Sequence, residues 1–289
     1  MCGVAGYSGA FSLTLLRKGL SVIAHRGPDD SGIFVEEECG VGLGHVRLAI
    51  QDLSPFGHQP MEGADGAVVL VFNGEIYNYI ELREDLKKLG YVFGTDSDTE
   101  VILSAYEEYG RDCLKYFNGM FAFAIWDQNK GELFCARDRF GIKPFYYFFN
   151  GQSFYFASEI KALLKINAIG VNPNREIVFD YLVHGLMDHT NQTFFNEIYQ
   201  LRSSHYLVVN KEGLFQKKYY ELPKERNQSN DIKEFYKLLT NSIQIRHRSD
   251  VPIGILLSGG IDSSIVAHIS DSFTKSSDPK ASISTFTGS

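Results

Sequence analysis

The second residue, Cys2, places a nucleophile at the head of the chain, in the string Met1-Cys2-Gly3-Val4. We expect Met1 to be removed, because cysteine is small. Cys2 would then carry a thiol and a free α-amine with a pKa of roughly 8, and the neutral amine can act as general base for the thiol. Met-Cys-Gly alone more often marks an ordinary buried cysteine, so other segments have to decide.

Three further polar segments are candidates for binding or catalysis. Arg47 lies inside an otherwise apolar strand-like run, and Asn73-Gly74 follows a second such run as a turn signal. Residues 25–32 (HRGPDDSG) form a polar, turn-rich stretch. Taken singly, each has an ordinary explanation: Arg47 could face solvent, and Asn73-Gly74 could close a plain hairpin.

A second candidate site lies in residues 255–264 (ILLSGGIDSS), an apolar strand that turns into a helix through glycines. Such a loop directs backbone N–H groups and a helix N-terminus toward one anion, and the serine hydroxyls add donors. No lysine follows the glycines, so this is not the Gly-x-x-x-x-Gly-Lys nucleotide loop. A tight strand–helix connection explains Ser-Gly-Gly alone equally well.

The elements that must position these residues change in character along the chain. Runs rich in Val, Ile, Phe and Tyr and bounded by Gly, Asn or Asp predict strands at Gly42–Ile50, Ala67–Phe72, Met120–Trp126, Glu132–Ala136, Pro144–Phe149 and Ser153–Ala157. Helical spacing occurs at Thr14–Ile23, Tyr79–Leu89 and Asp98–Tyr109. Many neighbouring strands with few helices favour stacked antiparallel sheets covered by helices.

The second half begins with an irregular stretch, residues 191–225, that holds short strand-like pieces such as His205–Val209. The polar run 224–230 (KERNQSN) predicts a linker. Beyond it the pattern is that of a parallel α/β sheet, with a helix, a strand, a helix and a strand at Asp231–His247, Ile253–Leu257, Ser264–Ser270 and Ser282–Thr287.

Composition narrows the class of protein. The 289 residues are 44% hydrophobic and 22% charged, with a net charge of −7, which disfavours a nucleic-acid partner. No apolar run is long enough to cross a bilayer, and no secretory signal is expected, since Arg17 and Lys18 interrupt the most apolar stretch of the N-terminus. The four cysteines suit neither a zinc site nor a disulfide framework. We therefore expect a cytoplasmic protein without a membrane partner, and the sequence leaves a homodimer open.

Taken together, the motifs of the first half resemble the class II glutamine amidotransferases, which are N-terminal nucleophile hydrolases, and most closely the glutamine-dependent asparagine synthetases. The matching segments run in the family's order: residues 1–3 (MCG), 26–29 (RGPD), 47–53 (RLAIQDL), 57–60 (GHQP), 73–78 (NGEIYN), 97–100 (SDTE), 137–144 (RDRFGIKP) and 156–159 (FASE). The resemblance implies an α+β chain with three parts. These are a four-layer αββα glutaminase domain over 2–190, a connecting segment over 191–230, and the start of an α/β ATP-pyrophosphatase domain over 231–289.

The resemblance also implies roles in glutamine hydrolysis. The Cys2 sulfur would attack the side-chain carbonyl of glutamine, and the Asn73 amide and the Gly74 N–H would receive the oxyanion. Arg47 would bind the α-carboxylate, since a planar guanidinium suits a bidentate carboxylate. Glu75 and Asp98 would bind the α-ammonium. Backbone atoms would line the same pocket at Leu48, Ala49, Ile50 and Gln51.

For the second site, the resemblance implies an ATP pyrophosphate loop. Leu257 and Thr287 would lie near the adenine. The phosphates would be surrounded by Ser258, Gly259, Gly260, Asp262, Ser263 and Ser264. Mg²⁺ would be held mainly by the phosphates, so no protein metal site is expected, and aspartate would be the acceptor. The family's synthetase domain continues past residue 289, so we expect a truncated chain that does not make asparagine.

The sequence leaves alternatives open. A relative could amidate another carboxylate, such as a sugar acid. Amidotransferases with sugar-phosphate or phosphoribosyl domains are disfavoured by the Ser-Gly-Gly-Ile-Asp-Ser loop, and β-lactam-forming relatives by the presence of Cys2. A folded remnant that binds a partner without chemistry is the non-enzymatic alternative.

Overall fold

The computed structural model describes residues 1–10, 12–166, 169–223, 231–277 and 282–288. The chain divides into two compact units. The first comprises Met1–Ala49 and Ser54–Glu221, and the second comprises Ile50–Leu53 and Leu222–Ser289. Among the described residues, no helix combines the length and the apolar character that a membrane crossing would need.

Twelve strands of the described chain form two antiparallel sheets in the first unit. They are β1 (Gly3–Ser8), β2 (Asp30–Glu36), β3 (Val41–Arg47), β4 (Met61–Glu62), β5 (Val68–Ile76), β6 (Gly119–Asp127), β7 (Glu132–Arg137), β8 (Tyr146–Phe149), β9 (Phe154–Ala157), β10 (Ile198–Gln200), β11 (His205–Asn210) and β12 (Gly213–Lys218). One sheet has the order β10-β8-β9-β1-β3-β2, and the other has the order β12-β11-β7-β6-β5-β4. β1 is therefore a central strand, held by β9 on one side and β3 on the other.

The helices of the first unit cover the two sheets from outside. They are α1 (Leu13–Ile23), α2 (Tyr79–Lys88), α3 (Asp98–Tyr109), α4 (Ile160–Leu163) and α5 (Arg175–His184), with short 3-10 turns at Ala24–Arg26, Pro55–Gly57 and Gly110–Lys115. The Ser97 hydroxyl caps α3 by accepting from the Thr99 N–H, at 3.1 Å. Helix α5 was not expected from the sequence, because its apolar residues face mostly outward.

Three apolar clusters show four layers. One lies between the two sheets and contains Val4, Val71 and Phe156. A second packs the β5 sheet against α2 and α3, and a third packs the β1 sheet against α1 and α4. The predicted αββα sandwich of antiparallel sheets is confirmed.

Two sequence expectations need correction. Asn73-Gly74 is not a hairpin turn: both residues lie inside β5, opposite Ala122 and Phe121 of β6. A Cβ on Gly74 would come within 2.2 Å of the Met120 carbonyl oxygen, so glycine is needed here for close strand approach and not for turning. The strand predicted at Gly42–Ile50 ends at Arg47.

The segment predicted to be irregular and connecting, 191–230, contributes β10, β11 and β12 to the two sheets. Their apolar residues are few and short in run, which is why the pattern was weak. The predicted linker 224–230 lies outside the described residues.

The second unit contains α6 (Ile232–Ile245), β13 (Gly254–Leu256), α7 (Ile261–Ser277) and β14 (Ser284–Phe286). β13 and β14 pair in parallel, as the strand–loop–helix–strand pattern predicted. The Asp231 carboxylate caps α6 by accepting from the Lys233 N–H, at 2.8 Å. The glycine loop therefore lies between a strand and the N-terminus of a 17-residue helix.

Candidate active site

Side-chain alternation directs Cys2 and Asn73 into the space between the two sheets. Successive side chains of a strand point to opposite faces. Val4 belongs to the cluster between the sheets, so Cys2, two residues earlier, follows the same face. Val71 belongs to that cluster as well, so Asn73, two residues later, points inward from the facing sheet.

Arg47 and Glu75 follow the same rule. Leu43 lies between the sheets, which places His45 and Arg47 on that inner face of β3, and Glu75 follows Asn73 on β5. The two sheets are tied at this point, because the His45 Nε2–H donates to the Phe72 carbonyl at 3.0 Å. Burial lowers the pKa of His45 to about 3, so the imidazole stays neutral.

The Cys2 thiol lies against the backbone that follows β3. Its sulfur accepts from the Leu48 N–H at 3.4 Å and is 3.5 Å from the Leu48 carbonyl oxygen. The Arg26 Nε donates to the Cys2 carbonyl at 2.9 Å, and Arg26 Nη1 pairs with Glu159 at 3.0 Å. Burial raises the pKa of the Cys2 thiol, while the Leu48 N–H and the positive charge of Lys143 oppose that rise.

Asn73 is 1% exposed, and neither its side-chain nitrogen nor its side-chain oxygen has a hydrogen-bond partner among the described residues. Buried amides are nearly always paired, because an unpaired one costs free energy. A buried amide N–H without a partner is suited to donate to a ligand oxygen on which negative charge develops.

The Gly74 N–H points to the edge of β5 that does not face β6. Tyr77 N donates to the Asn118 carbonyl on the β6 side, so odd-numbered residues of β5 pair with β6. Even-numbered residues turn the other way: Phe72 N donates to the Gln59 side chain at 2.7 Å, and Ile76 N donates to Asp98 at 2.8 Å. Gly74 lies between these two and offers its N–H to the same edge.

Arg47 is buried, and the loops around it fix its guanidinium. Its Nη1 donates to the Ser54 carbonyl at 3.0 Å. A Cβ on Gly57 would come 1.9 Å from Arg47 Nη2, so the guanidinium packs directly against Gly57 and would have to move if a larger residue stood there. The backbone before it is held as well, because Asp29 N donates to the Arg47 carbonyl at 3.0 Å.

Two carboxyl groups complete the cluster. Asp98 begins α3, is buried, and accepts from the Ile76 N–H. Burial, together with the nearby Glu75 charge, raises the pKa of Asp98 to about 7. Burial also raises the pKa of Glu75, and the Lys143 ammonium acts against that rise. A buried and a half-buried carboxyl with raised pKa values are suited to receive a cation.

The remaining predicted glutamine contacts are divided between the units. The Ala49 N–H donates to Asp29 at 2.8 Å, next to the Cys2–Leu48 contact. Ile50 and Gln51 belong to the second unit, where the Ile50 carbonyl accepts from Asp250 N at 3.0 Å and Gln51 Nε2 donates to the Arg248 carbonyl at 3.2 Å. Their role stays a prediction.

The glycine loop of the second unit gathers hydroxyl groups. Ser258 Oγ and Ser263 Oγ are 3.1 Å apart, and Ser264 Oγ donates to the Gly260 carbonyl at 2.8 Å. Gly259 has φ +81°, which turns the loop into the first turn of α7, where Asp262 lies. The Leu257 N–H donates to the Phe286 carbonyl at 2.8 Å, so Leu257 and Thr287 lie side by side at the ends of the strand pair.

Two residues of the site had no role from sequence. Arg26 holds the backbone of Cys2, and Lys143 adds a buried positive charge whose field lowers the pKa of the Cys2 thiol. Both lie within motifs that carried the resemblance, 26–29 and 137–144. Arg26 could have been suspected because it begins the polar, turn-rich RGPD segment. The sequence around Lys143 contains no pattern that predicts a buried lysine.

Two facing antiparallel sheets, with a cysteine leading a central strand of one of them, define the glutamine amidotransferase class of N-terminal nucleophile folds. The model of the glutamine amidotransferase domain matches residues 1–220, and the chain belongs to that family. The asparagine synthase model matches residues 234–288. The resemblance drawn from the motifs is confirmed.

Individual relatives agree. A Methanocaldococcus jannaschii protein with the name "Putative asparagine synthetase [glutamine-hydrolyzing] 2" is 41% identical, over 95% of this chain and 58% of its own length. Asparagine synthetase [glutamine-hydrolyzing] 1 of Bacillus subtilis is 37% identical, over 94% of this chain and 44% of its own length. The chain thus spans about half the length of the curated relatives it matches.

A solved structure shares the fold. Glutamine phosphoribosylpyrophosphate amidotransferase from B. subtilis superposes with a TM-score of 0.56 at 19% identity, covering 99% of this chain and 66% of that one. At this identity the likeness shows the fold alone.

Proposed function

We propose that the first unit hydrolyses glutamine at Cys2, as the ammonia-producing part of a glutamine-dependent asparagine synthetase. The observation that carries the proposal is the unpaired, buried amide of Asn73, on the sheet that faces Cys2. A buried donor without a partner suits a transient oxyanion, and removal of such a donor typically slows acyl transfer.

The proposed chemistry follows the positions of the groups. With Met1 removed, the α-amine of Cys2 takes the thiol proton, and the sulfur attacks the side-chain carbonyl carbon of glutamine. The Asn73 amide and the Gly74 N–H donate to the oxyanion. The amine returns its proton to the departing nitrogen as ammonia leaves. Water then attacks the thioester, which releases glutamate and restores the thiol.

Recognition of glutamine would use the charged groups around the thiol. Arg47 would bind the α-carboxylate, while Glu75 and Asp98 would bind the α-ammonium. This division matches the charges: the buried Arg47 and the half-buried Glu75 lie on the inner faces of the two sheets, and the buried Asp98 lies at the start of α3.

Labelling by a glutamine-mimicking electrophile tests the proposal. Such a reagent should modify Cys2 stoichiometrically, and free glutamine should slow the labelling. The Cys2→Ala variant should lose all glutaminase activity, whereas Cys39→Ala, which changes an exposed cysteine, should keep full activity. Normal turnover by Cys2→Ala would refute the assignment. Intact mass should show Met1 absent in active preparations, since a peptide-bound Cys2 has no free amine.

For the second unit we propose an ATP site at Ser258, Gly259, Gly260, Asp262, Ser263 and Ser264, with Leu257 and Thr287 beside the adenine. The hydroxyl cluster and the first-turn N–H groups of α7 fit a polyphosphate, and bound ATP would supply the activation of an acceptor carboxylate. Mg²⁺ would be held mainly by the phosphates. Among the described residues no group of three or more His, Cys, Asp or Glu could hold a metal ion.

Aspartate is the acceptor we propose, and the cytoplasm is the proposed location. Asparagine formation coupled to pyrophosphate release would test the acceptor in a protein that carries this chain together with a synthetase domain as long as that of its relatives, with sugar acids offered in parallel. Glutamine-dependent pyrophosphate release with a sugar acid but not with aspartate would show that the acceptor is the sugar acid and that the reaction is a different amidation.

A further inference from the structure

Lys143 is buried without an ion-pair partner. Its side chain is 5% exposed, and among the described residues no carboxylate lies within 4.0 Å of its ammonium. Lysine is almost never fully buried unless it is paired, because desolvating an ammonium is costly. A buried lysine without an ion pair in the candidate active site is therefore not explained by packing alone.

The loop that carries Lys143 is held firmly. The Lys143 N–H donates to the Asp138 carboxylate at 3.0 Å, and its carbonyl accepts from Arg137 Nε at 2.7 Å. The same Asp138 carboxylate accepts from Phe121 N at 3.2 Å, and Phe121 lies opposite Gly74 in the β5–β6 pair. The backbone of Lys143 is thus fixed to the strand pair that presents the proposed oxyanion donors.

Asp138 does not explain the lysine as a counter-ion. Its carboxylate already accepts four backbone N–H groups, from Phe121, Phe140, Ile142 and Lys143. These donors compensate a buried carboxylate without help from an ammonium. The positive charge of Lys143 is therefore free to interact with acidic groups other than Asp138.

The acidic groups that interact with Lys143 are Cys2 and Glu75 of the candidate active site. Burial lowers the pKa of Lys143, and the charges of Glu75, Cys2 and Asp138 act against that change, while Arg26 adds to it. In return, the Lys143 charge lowers the pKa of both Cys2 and Glu75. The cation is coupled to both the nucleophile and a proposed substrate carboxylate.

Resting on the proposed glutaminase function, we propose that Lys143 is a positioning residue whose buried ammonium stabilises the Cys2 thiolate and the ionised Glu75 together. The thiolate is then available for attack, and the Glu75 carboxylate stays charged to receive the α-ammonium of glutamine. Lys143 itself transfers no proton and forms no bond to the substrate.

Alkylation of Cys2 by iodoacetamide, followed across pH without glutamine, tests the inference. Lys143→Met keeps the length of the side chain and removes its charge. We expect the pH midpoint of alkylation to move up by about one unit, and the rate at pH 7 to fall roughly tenfold. Lys143→Arg should restore most of the rate. Lys88→Met, which removes an equal charge from the exposed face of α2, should match the unchanged protein.

Glutaminase kinetics supply the second measurement. Lys143→Met should raise KM for glutamine more at pH 6 than at pH 8, since Glu75 then gains a proton more readily. Thermal unfolding should show that the variant folds, because methionine suits a buried position. An alkylation midpoint and a KM profile that both match the unchanged protein would overturn the inference. Absence of glutaminase activity in the unchanged protein would instead overturn the proposed function, and the alkylation arm would still decide the role of Lys143.

Discussion

The two units place their candidate sites in opposite surroundings. In the first, β5 is covered by a second sheet on one face and by helices on the other. In the second, the parallel pair β13–β14 leaves large apolar side chains in solvent: Leu256 is 81% exposed and Phe286 is 60% exposed. Parallel strands are normally covered on both faces. Among the described residues β5 has such cover, whereas Leu256 and Phe286 do not.

This contrast extends to the polar groups. Among the described residues the buried Asn73 amide has no hydrogen-bond partner, which suits the oxyanion-binding role proposed for it. The hydroxyls of Ser258 and Ser263 are paired with each other in an exposed loop. If the proposed roles hold, the first site can receive its ligand without breaking a hydrogen bond of Asn73, whereas the second would exchange the Ser258–Ser263 hydrogen bond for contacts to phosphate.

Asn73→Ala is the sharpest test of that readiness. We expect kcat for glutamine hydrolysis to fall by about 100- to 1,000-fold, as with other oxyanion donors. Thermal stability should hold or rise, because an unpaired buried amide is removed. A stable variant with full kcat would show that the unpaired amide has no part in turnover. Asn78→Ala, a change to an amide paired with backbone groups, should instead reduce stability and leave kcat near normal.

Gly57→Ala should act on substrate binding. The added methyl group would displace the Arg47 guanidinium, which is the flexible end of a side chain, so the fold should persist. KM for glutamine should rise about tenfold, the loss expected when a bidentate charge contact is misaligned, with a smaller change in kcat. Gly94→Ala is the matched control, since its methyl group would meet only Glu100 at 3.8 Å. Equal KM values for both variants would contradict the role of Arg47.

The pH dependence of Asp98 gives a smaller effect. Its folded pKa of about 7 lies above the ordinary value of 3.8, so the native state binds an extra proton between these values. Stability therefore falls as pH rises toward 7, and the penalty is complete above it. Asp98→Asn should gain thermal stability relative to the unchanged protein at pH 8 and little at pH 4.

The same ionisation should appear in binding. KM for glutamine in the unchanged protein should fall several-fold as pH rises from 6 to 8, because only the charged form of Asp98 attracts the α-ammonium. In Asp98→Asn this dependence should flatten and KM should be high throughout. If KM of the unchanged protein is constant between pH 6 and pH 8, Asp98 does not take part in glutamine recognition.

Gly259→Ala should show the smallest effect, and it addresses the second unit. Its φ of +81° is unfavourable for alanine, so the loop should lose about 1 kcal/mol of local stability. Protection of the α7 amides against hydrogen exchange should decrease, while glutaminase kinetics stay unchanged. Altered glutaminase rates in this variant would show that the two units do not work separately.

The sequence predicted most of the architecture because the inner sheets carry strong apolar runs. Residues 67–72 and 120–126 became the centres of β5 and β6. The segment 175–218 was harder: only His205–Val209 was recognised there as strand-like, while β10 has three residues, β12 ends in a polar run, and α5 has outward-facing apolar residues that blur its periodicity. Asn73-Gly74 has the composition of a turn, yet strand pairing with β6 overrides that local preference.

The candidate site shows a similar division. Cys2, Arg47 and Asn73 could be selected from ordered motifs, and their shared inner face follows from period-two alternation once the strands are known. Whether a polar side chain is unpaired, or a lysine buried, depends on contacts between distant segments. No local pattern around Asn73 or Lys143 carries that information, so these two properties required the structure.

The central place of β1 has a practical consequence. Because β9 and β3 bond to it on both sides, the first residues of the chain are fastened into the middle of a sheet. An affinity tag or fluorescent fusion attached ahead of Cys2 would have to emerge beside Arg26, at the mouth of the proposed glutamine pocket. Handles for purification or immobilisation therefore belong at the other end of the polypeptide.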